Sequence, residues 1–198
     1  MFVHENDVYV VGEVTENNIL NRRNEWGEII TFARAEVWVN GVSSPRRLQG
    51  TFLTASQAMR GGGTTHGGLV GVEQREPNTL GSSVFVSGND VFVTGVFQPG
   101  GNHARAMFWV NREIQRLPTP IPYTVTITGR SRANSVYVSG EDVFVVGNVE
   151  FRRRMVQTNR AILWTNGEPQ ILSTASSRAN SVVVSDGNVY VVGAVRQN

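Results

Sequence analysis

The chain has 198 residues, of which 40% are hydrophobic and 17% charged, and its formal net charge is +2 at pH 7. This composition is ordinary for a globular protein with a buried core. The chain contains neither cysteine nor lysine, because all 18 basic residues are arginine. These two absences exclude disulfides, thiolate metal sites, cysteine nucleophiles, P-loops and Schiff-base chemistry.

Composition also limits the partners and the compartment. The small net charge does not predict a nucleic-acid partner, and no run of residues approaches the ~20 apolar positions of a membrane helix. The first residues, MFVHENDVYVVG, lack the pattern of a signal peptide. The compartment stays open: export or cell-surface attachment is expected only if the chain belongs to a longer precursor.

Four segments in chain order predict a β-hairpin each. Every segment joins two runs of β-branched and aromatic residues through a polar turn, such as Gly88-Asn89 or Gly187-Asn188, whose residues tolerate the positive φ of tight turns. The last two segments belong to two stretches that start 46 residues apart and are identical at 12 of 17 positions, SRANSVYVSGEDVFVVG and SRANSVVVSDGNVYVVG. The four hairpins are predicted at 2–12, 83–95, 135–147 and 181–193.

A second signature, Arg-Ala-x-x-Trp-x-Asn, follows the first three hairpins and predicts a third strand in each unit. Asn40-Gly41 and Asn166-Gly167 then predict turns into short fourth strands. In the second unit Arg112 replaces the glycine, so the turn there is specified less well. The signature occurs at 34–40, 105–111 and 160–166, and the fourth strands are expected at 45–49, 113–117 and 168–172.

Both faces of these strands are apolar. In DVFVVG, Val143 and Val145 point to one face while Phe144 and Val146 point to the other, so the sheet must be covered on both sides. A repeat of about 50 residues with four strands per unit is typical of a β-propeller blade. The prediction is an all-β, propeller-like fold of four-stranded antiparallel blades, about 3.5 repeats in all, rather than a β-sandwich or a solenoid.

One repeat domain is therefore expected over residues 1–198. Its units are placed at about 1–50, 83–118, 134–173 and 180–198, and residues 51–82 form an insertion. Because the fourth unit has only its first two strands, the expected ring is unfinished. We expect a fragment of a longer gene product; self-association of two copies into a ring of about seven blades, or closure with a two-stranded last blade, are the alternatives.

The pattern VSGxDVYVxG … AxxWxNG resembles the repeat of uncharacterised bacterial β-propeller proteins, many of them exported. The resemblance covers nearly all of the chain outside residues 51–80. It implies the propeller fold, and it carries no activity and no catalytic residues to this chain.

The loops between second and third strands vary most and are predicted to share one rim. They carry basic and aromatic side chains, which suit the carboxylates, sulfates or phosphates of an acidic glycan or protein. The alternative is a set of solvated hairpin tips, balanced by Glu13, Glu16, Glu25 and Glu150. The candidate binding residues are Arg22, Arg23, Trp26, His103, Arg152, Arg153 and Arg154.

Residues that recur with the repeat are interpreted as structural. The tryptophans are expected to anchor the core, and the arginines to lie on the same strand face, roughly 13 Å away. Asn134 and Asn180 are expected to bond to backbone near the first strands. The recurring side chains are Trp38, Trp109, Trp164, Arg34, Arg105 and Arg160.

No catalytic motif stands out. His4, His66 and His103 are scattered, so neither a metal nor another cofactor is expected. The favoured function is a noncatalytic binding or scaffold propeller that presents its loops to a protein or an acidic glycan. The alternatives are a carbohydrate-active hydrolase or lyase with carboxylates in a central channel, from residues such as Glu25, Glu28, Glu73 and Glu76, or an architectural segment of a larger surface protein.

Overall fold

All the regular elements in the described residues are β-strands. The computed structural model describes residues 1–17, 31–43, 48, 78–98, 104–120, 126–153 and 156–196. The strands are β1 (Phe2–His4), β2 (Asp7–Asn17), β3 (Thr31–Val39), β4 (Val42–Ser43), β5 (Asn78–Ser87), β6 (Asp90–Gln98), β7 (Arg105–Val110), β8 (Glu113–Gln115), β9 (Thr126–Ser139), β10 (Asp142–Arg153), β11 (Val156–Thr165), β12 (Glu168–Ile171), β13 (Ser177–Ser185) and β14 (Asn188–Val195).

The strands form a series of sheets in the order of the sequence. Sheets 1, 2 and 3 are four-stranded and contain β1–β4, β5–β8 and β9–β12, and sheet 4 is the β13–β14 hairpin. All pairings within the sheets are antiparallel and join neighbouring strands of the chain. The all-β prediction with repeated four-stranded sheets is therefore confirmed. The first strands of sheets 2 and 3 begin earlier than the hairpin pattern indicates, at Asn78 and Thr126.

Each inner sheet is covered on both faces, as the two-sided apolar pattern predicts. In sheet 3, Val145 and Trp164 lie on one face, which we call the Trp face, and pack with Phe92 of sheet 2. Phe144 lies on the opposite face, the Phe face, and packs against sheet 4. Sheets 1 and 2 meet in the same way, with the Trp face of sheet 2 on the Phe face of sheet 1. One rule therefore describes all three interfaces.

In each four-stranded sheet the recurring Asn after the third strand is hydrogen-bonded to the start of the second strand. The Oδ1 atom of Asn166 accepts a hydrogen bond of 2.8 Å from the backbone N–H of Val143, and its Nδ2 donates to Asp142 Oδ1 at 2.8 Å. Asn40 and Asn111 make the same two bonds to the hairpins of sheets 1 and 2. This shared clamp explains why Trp-x-Asn recurs together with the Asp-Val that begins the second strand in sheets 1, 2 and 3.

The turn after the clamp needs two successive residues with positive φ. Asn166 has φ 51° and Gly167 has φ 86°, a combination that favours Asn followed by Gly. In sheet 2, Arg112 holds the glycine position at φ 79°, so the turn is kept although the side chain is unfavourable there. Replacing the glycine with Arg112 therefore strains the backbone at this position but does not abolish the turn.

A hydroxyl on each first strand bonds to the preceding sheet. The backbone N–H of Ala161 donates to Ser177 Oγ at 3.0 Å, and that of Ala106 donates to Ser131 Oγ at 2.9 Å. Thr79 accepts the equivalent bond of 2.9 Å from Ala35. The alanine of the Arg-Ala signature thus donates its amide across the interface, which ties the register of consecutive sheets together.

In sheets 2, 3 and 4 the second strand contains a glycine at a point where the neighbouring backbone leaves no room for a side chain. A Cβ on Gly147 would lie 1.8 Å from the carbonyl oxygen of Arg132, and a Cβ on Gly95 or Gly193 would meet an equivalent carbonyl at 2.1 Å. The register of the paired first strand shifts at the same point, which marks a β-bulge.

The first strands also bring consecutive sheets close together. Strands β1, β5, β9 and β13 each contact the next member of this series. The rings of Phe2 and Phe85 have centroids 4.4 Å apart, and those of Phe85 and Tyr137 are 4.8 Å apart. No closed sheet occurs in the described strands, and the series has two end faces.

We expect Gly147→Ala to lower the free energy of unfolding by about 2 kcal/mol or more, because its methyl group would overlap the Arg132 carbonyl. Gly12→Ala is the matched control, since a Cβ there meets only the Trp38 ring, at 3.3 Å. Urea denaturation of both variants provides the comparison. Equal losses would contradict the bulge-and-glycine account.

Candidate functional site

An open polar cleft of about 650 Å³ lies beside the ends of β6 and β14, the start of β13 and the middle of β9 and β10. Serine hydroxyls and side-chain amides line part of it, including Ser131, Ser177, Gln98 and Asn148. The charged residues of its lining are Arg130, Arg132, Arg178, Arg196 and Glu150.

The cleft is built from equivalent positions of neighbouring repeats. Three lining residues each lie three positions after the glycine of a second strand: Gln98, Glu150 and Arg196. Arg132 and Arg178 each stand just before the alanine at a first-strand bulge. Repetition therefore places arginines of two sheets along one cleft.

Backbone pairing fixes the positions of Arg132 and Arg178. Arg132 is paired with Asn148 across β9 and β10, and Arg178 with Ala194 across β13 and β14. Both side chains are exposed, and in the described part of the chain neither forms an ion pair. Strand pairing thus fixes the backbone of both arginines, and their side chains are exposed to a ligand.

Glu150 offsets part of the positive charge from a buried position. Its side chain is 6% exposed, and Oε2 lies 3.7 Å from Nη1 of Arg130. Arg130 itself is placed by a parallel bridge to Ala104, next to a 2.7 Å hydrogen bond from the N–H of Ser131 to the Ala104 carbonyl. With Glu150 beside Arg130, the other three arginines leave the cleft positively charged.

The last strand completes the cleft. The backbone N–H of Arg196 donates to the Ser176 carbonyl at 2.8 Å, which holds Arg196 beside the start of β13. On the opposite side, Asn148 Nδ2 donates to Asn159 Oδ1 at 3.3 Å. Guanidinium and side-chain amide groups therefore line one open space, an arrangement that suits a hydrated anionic ligand, whereas the Ser177 hydroxyl already donates to the Ala175 carbonyl.

The described lining of the cleft has few of the acidic side chains that hydrolysis of glycosides uses. Glu150 is the one carboxylate in the described lining of the cleft, and Arg130 lies beside it. Two carboxyl groups are needed for the usual glycoside hydrolysis. The described ranges contain no cluster of three or more His, Asp or Glu residues that could hold a metal ion.

The binding residues predicted from the sequence are only partly located. Arg152 and Arg153 lie in β10, two and three residues beyond Glu150, so their backbone is at the same end of the sheet as the cleft. Their side chains lie outside the described part, as do the other predicted residues, so the patch stays a prediction. Those other residues are Arg22, Arg23, Trp26, His103 and Arg154.

Two of the three recurring tryptophans lie at interfaces between sheets. Trp109 and Trp164 are completely buried, and Trp164 Nε1 donates a 2.6 Å hydrogen bond to the Pro118 carbonyl. Trp38 is only partly buried, because it lies on the Trp face of sheet 1, at the end of the series. Trp38, the equivalent of the buried Trp109 and Trp164, is thus partly exposed because no preceding sheet covers it in the described chain.

The recurring arginines do not share one contact. Arg34 forms an ion pair with Glu36, Arg105 is exposed, and the guanidinium of Arg160 lies 5.0 Å from the centre of the Phe151 ring on the neighbouring strand. Asn134 bonds to backbone as expected, but across an interface, through a 2.7 Å hydrogen bond from Nδ2 to the Ala179 carbonyl. Asn180 occupies the same bulge position in sheet 4 and is exposed.

Sequence reasoning missed the arginines of the SRANS motif. The motif appears twice, but the sequence prediction assigns a role to its asparagines and none to Arg132 and Arg178. Their recurrence was a usable signal, because equivalent residues of adjacent repeats lie side by side. Arg130 and Arg196 carry no repeated signal, since Ser176 and Glu150 hold the equivalent positions.

Comparison with protein-family models, curated protein sequences and solved structures finds no match for this chain. The resemblance to bacterial repeat proteins therefore stays a prediction. The described residues include no helix of the length and apolarity that a membrane crossing requires. Inference about function therefore depends on the geometry of the cleft.

We expect Ser177→Ala to lower the free energy of unfolding by about 1–2 kcal/mol, because the buried N–H of Ala161 loses its acceptor. Ser176→Ala, at the adjacent and less buried position, is the control and should change stability little. Thermal and urea denaturation measure both. A Ser177 variant as stable as the control would show that the hydroxyl does not tie the sheets together.

Proposed function

We propose that the chain is a noncatalytic binding module, and that its cleft binds an acidic glycan. The carrying observation is the set of exposed arginines from two adjacent repeats, Arg132 and Arg178, in a cleft whose one described carboxylate lies beside Arg130. Guanidinium groups bind carboxylates and sulfates through paired hydrogen bonds. The side-chain amides of Gln98 and Asn159 in the lining supply partners for sugar hydroxyls.

A glycan fits the cleft better than an acidic protein surface does. The described lining combines arginines with polar side chains such as Gln98, Asn148 and Asn159, and no aromatic residue, of the kind that protein interfaces favour, is among the described lining residues. A chain of acidic sugars repeats its charges at a regular spacing, as the cleft repeats its arginines.

We further infer that the four sheets are blades of a β-propeller. Support comes from the contacts between consecutive first strands and from the single rule of face packing at all three interfaces. In such an arrangement the first strands lie near the axis and the loops after the second strands share a rim. The cleft and the predicted loop arginines would then form one continuous binding surface.

We expect the Arg132→Ser/Arg178→Ser double variant to bind heparin and polygalacturonate at least about tenfold more weakly than the unchanged chain at low salt, since charge-assisted hydrogen bonds are lost. The dependence of affinity on salt should also fall. Titration calorimetry with the two polyanions and with neutral dextran measures the effect. Arg116→Ser is the control for charge, because Arg116 is exposed and outside the lining of the cleft.

Two results would overturn the proposal. One is an unchanged chain that binds neither polyanion at low salt. The other is a double variant that binds as tightly as the Arg116 control. A third variant, with Arg152, Arg153 and Arg154 changed to Ser, tests the predicted loop patch separately, and a further loss of affinity is expected if loop and cleft act together.

A further inference from the structure

Sheet 4 exposes an apolar face whose counterparts are buried. Its Phe face carries Val183, Tyr190 and Val192, which are 47%, 51% and 66% exposed. The equivalents of the last two in sheet 3, Phe144 and Val146, are only 8% and 0% exposed, because sheet 4 covers them. This face of sheet 4 therefore has the same kind of apolar side chains as a face that is buried between two sheets.

Sheet 1 exposes the complementary face. Val3 and Val10 on its Trp face are 56% and 37% exposed. In sheet 2 the equivalents Val86 and Val93 are 3% and 1% exposed, since sheet 1 packs against them. The half-buried Trp38 extends this surface.

The chain itself shows what covers such faces. At all three internal interfaces a Phe face packs on the Trp face of the next sheet, and no pair of like faces meets in the described residues. The two exposed faces are the missing halves of one further interface of the same kind. Arg34 on the sheet 1 face is paired with Glu36, so that pair adds no net charge to the contact.

We propose that the chain associates head to tail with a second copy of itself, with the Phe face of sheet 4 packed on the Trp face of sheet 1 of the other copy. The apolar area is contributed on one side by Val183, Tyr190 and Val192, and on the other by Val3, Val10 and Trp38. A contact between unlike faces closes a ring when the rotation permits and otherwise forms an open chain. The proposal does not rest on the anion site, because the end faces and the cleft use different residues.

Two single variants test the contact. Val10→Arg places a charge on the Trp face of sheet 1, and Val192→Arg places one on the Phe face of sheet 4. We expect the unchanged chain to exceed the monomer mass in sedimentation equilibrium at micromolar concentrations, and each variant alone to be a monomer. Each variant keeps one intact face, so an equimolar mixture should form a one-to-one dimer.

Val42→Arg is the matched control, because Val42 is 69% exposed on neither end face and should leave the assembly unchanged. Circular dichroism checks folding, and if an arginine variant unfolds, Val10→Ser and Val192→Ser replace the pair. An unchanged chain that is monomeric at all concentrations would overturn the proposal. So would an assembly that only one of the two variants abolishes, because association through like faces needs only one of the two end sheets.

Heparin binding separates this result from the proposed function. The monomeric variants should keep their affinity for heparin per chain within about twofold, since neither substitution lies in the cleft lining. Failure of the polyanion experiment would leave the head-to-tail test intact, and the reverse also holds.

Discussion

Every level of this structure depends on sheets whose two faces are both apolar. A sheet of this kind is unstable unless each face is covered, and burial of a large apolar side chain stabilises by about 1.5–3 kcal/mol. The repeated sheets cover one another. Each sheet after the first packs one apolar face against the preceding sheet and offers its other apolar face to the next. Trp109 and Trp164, fully buried between consecutive sheets, are the clearest result of this arrangement.

The polar contacts that recur with the repeat set geometry rather than bulk stability. The Asn166 clamp fixes the third strand against its own hairpin, while Ser177 and its equivalents fix the register between sheets. Apolar packing alone would tolerate small slides between faces. A buried N–H group with a single available acceptor prevents such slides, because moving the sheets would leave the N–H without a hydrogen bond, which is costly inside the interface. The same register brings Arg132 and Arg178 to one cleft.

Much of the fold follows from local sequence, and much of the cleft does not. The strands, their order and the two-sided burial could be predicted, because runs of β-branched and aromatic residues and Asn-Gly turns are local signals. The hydroxyl bonds of Thr79 and Ser131 could not, since they depend on how two sheets slide past each other. For the same reason the arginines of the cleft were overlooked: their significance appears only when Arg132 of one repeat lies near Arg178 of the next. Arg112 shows the converse, because the clamp at Asn111 imposes a positive φ that local preference opposes.

The central claim is that consecutive sheets pack face to face along their first strands. Nuclear Overhauser contacts between the ring protons of Phe85 and Tyr137 test it most directly, because these residues belong to different sheets and their ring centroids are 4.8 Å apart. The account predicts strong cross-peaks between the two rings in the folded protein. Well-resolved ring signals with no cross-peak between them would contradict it.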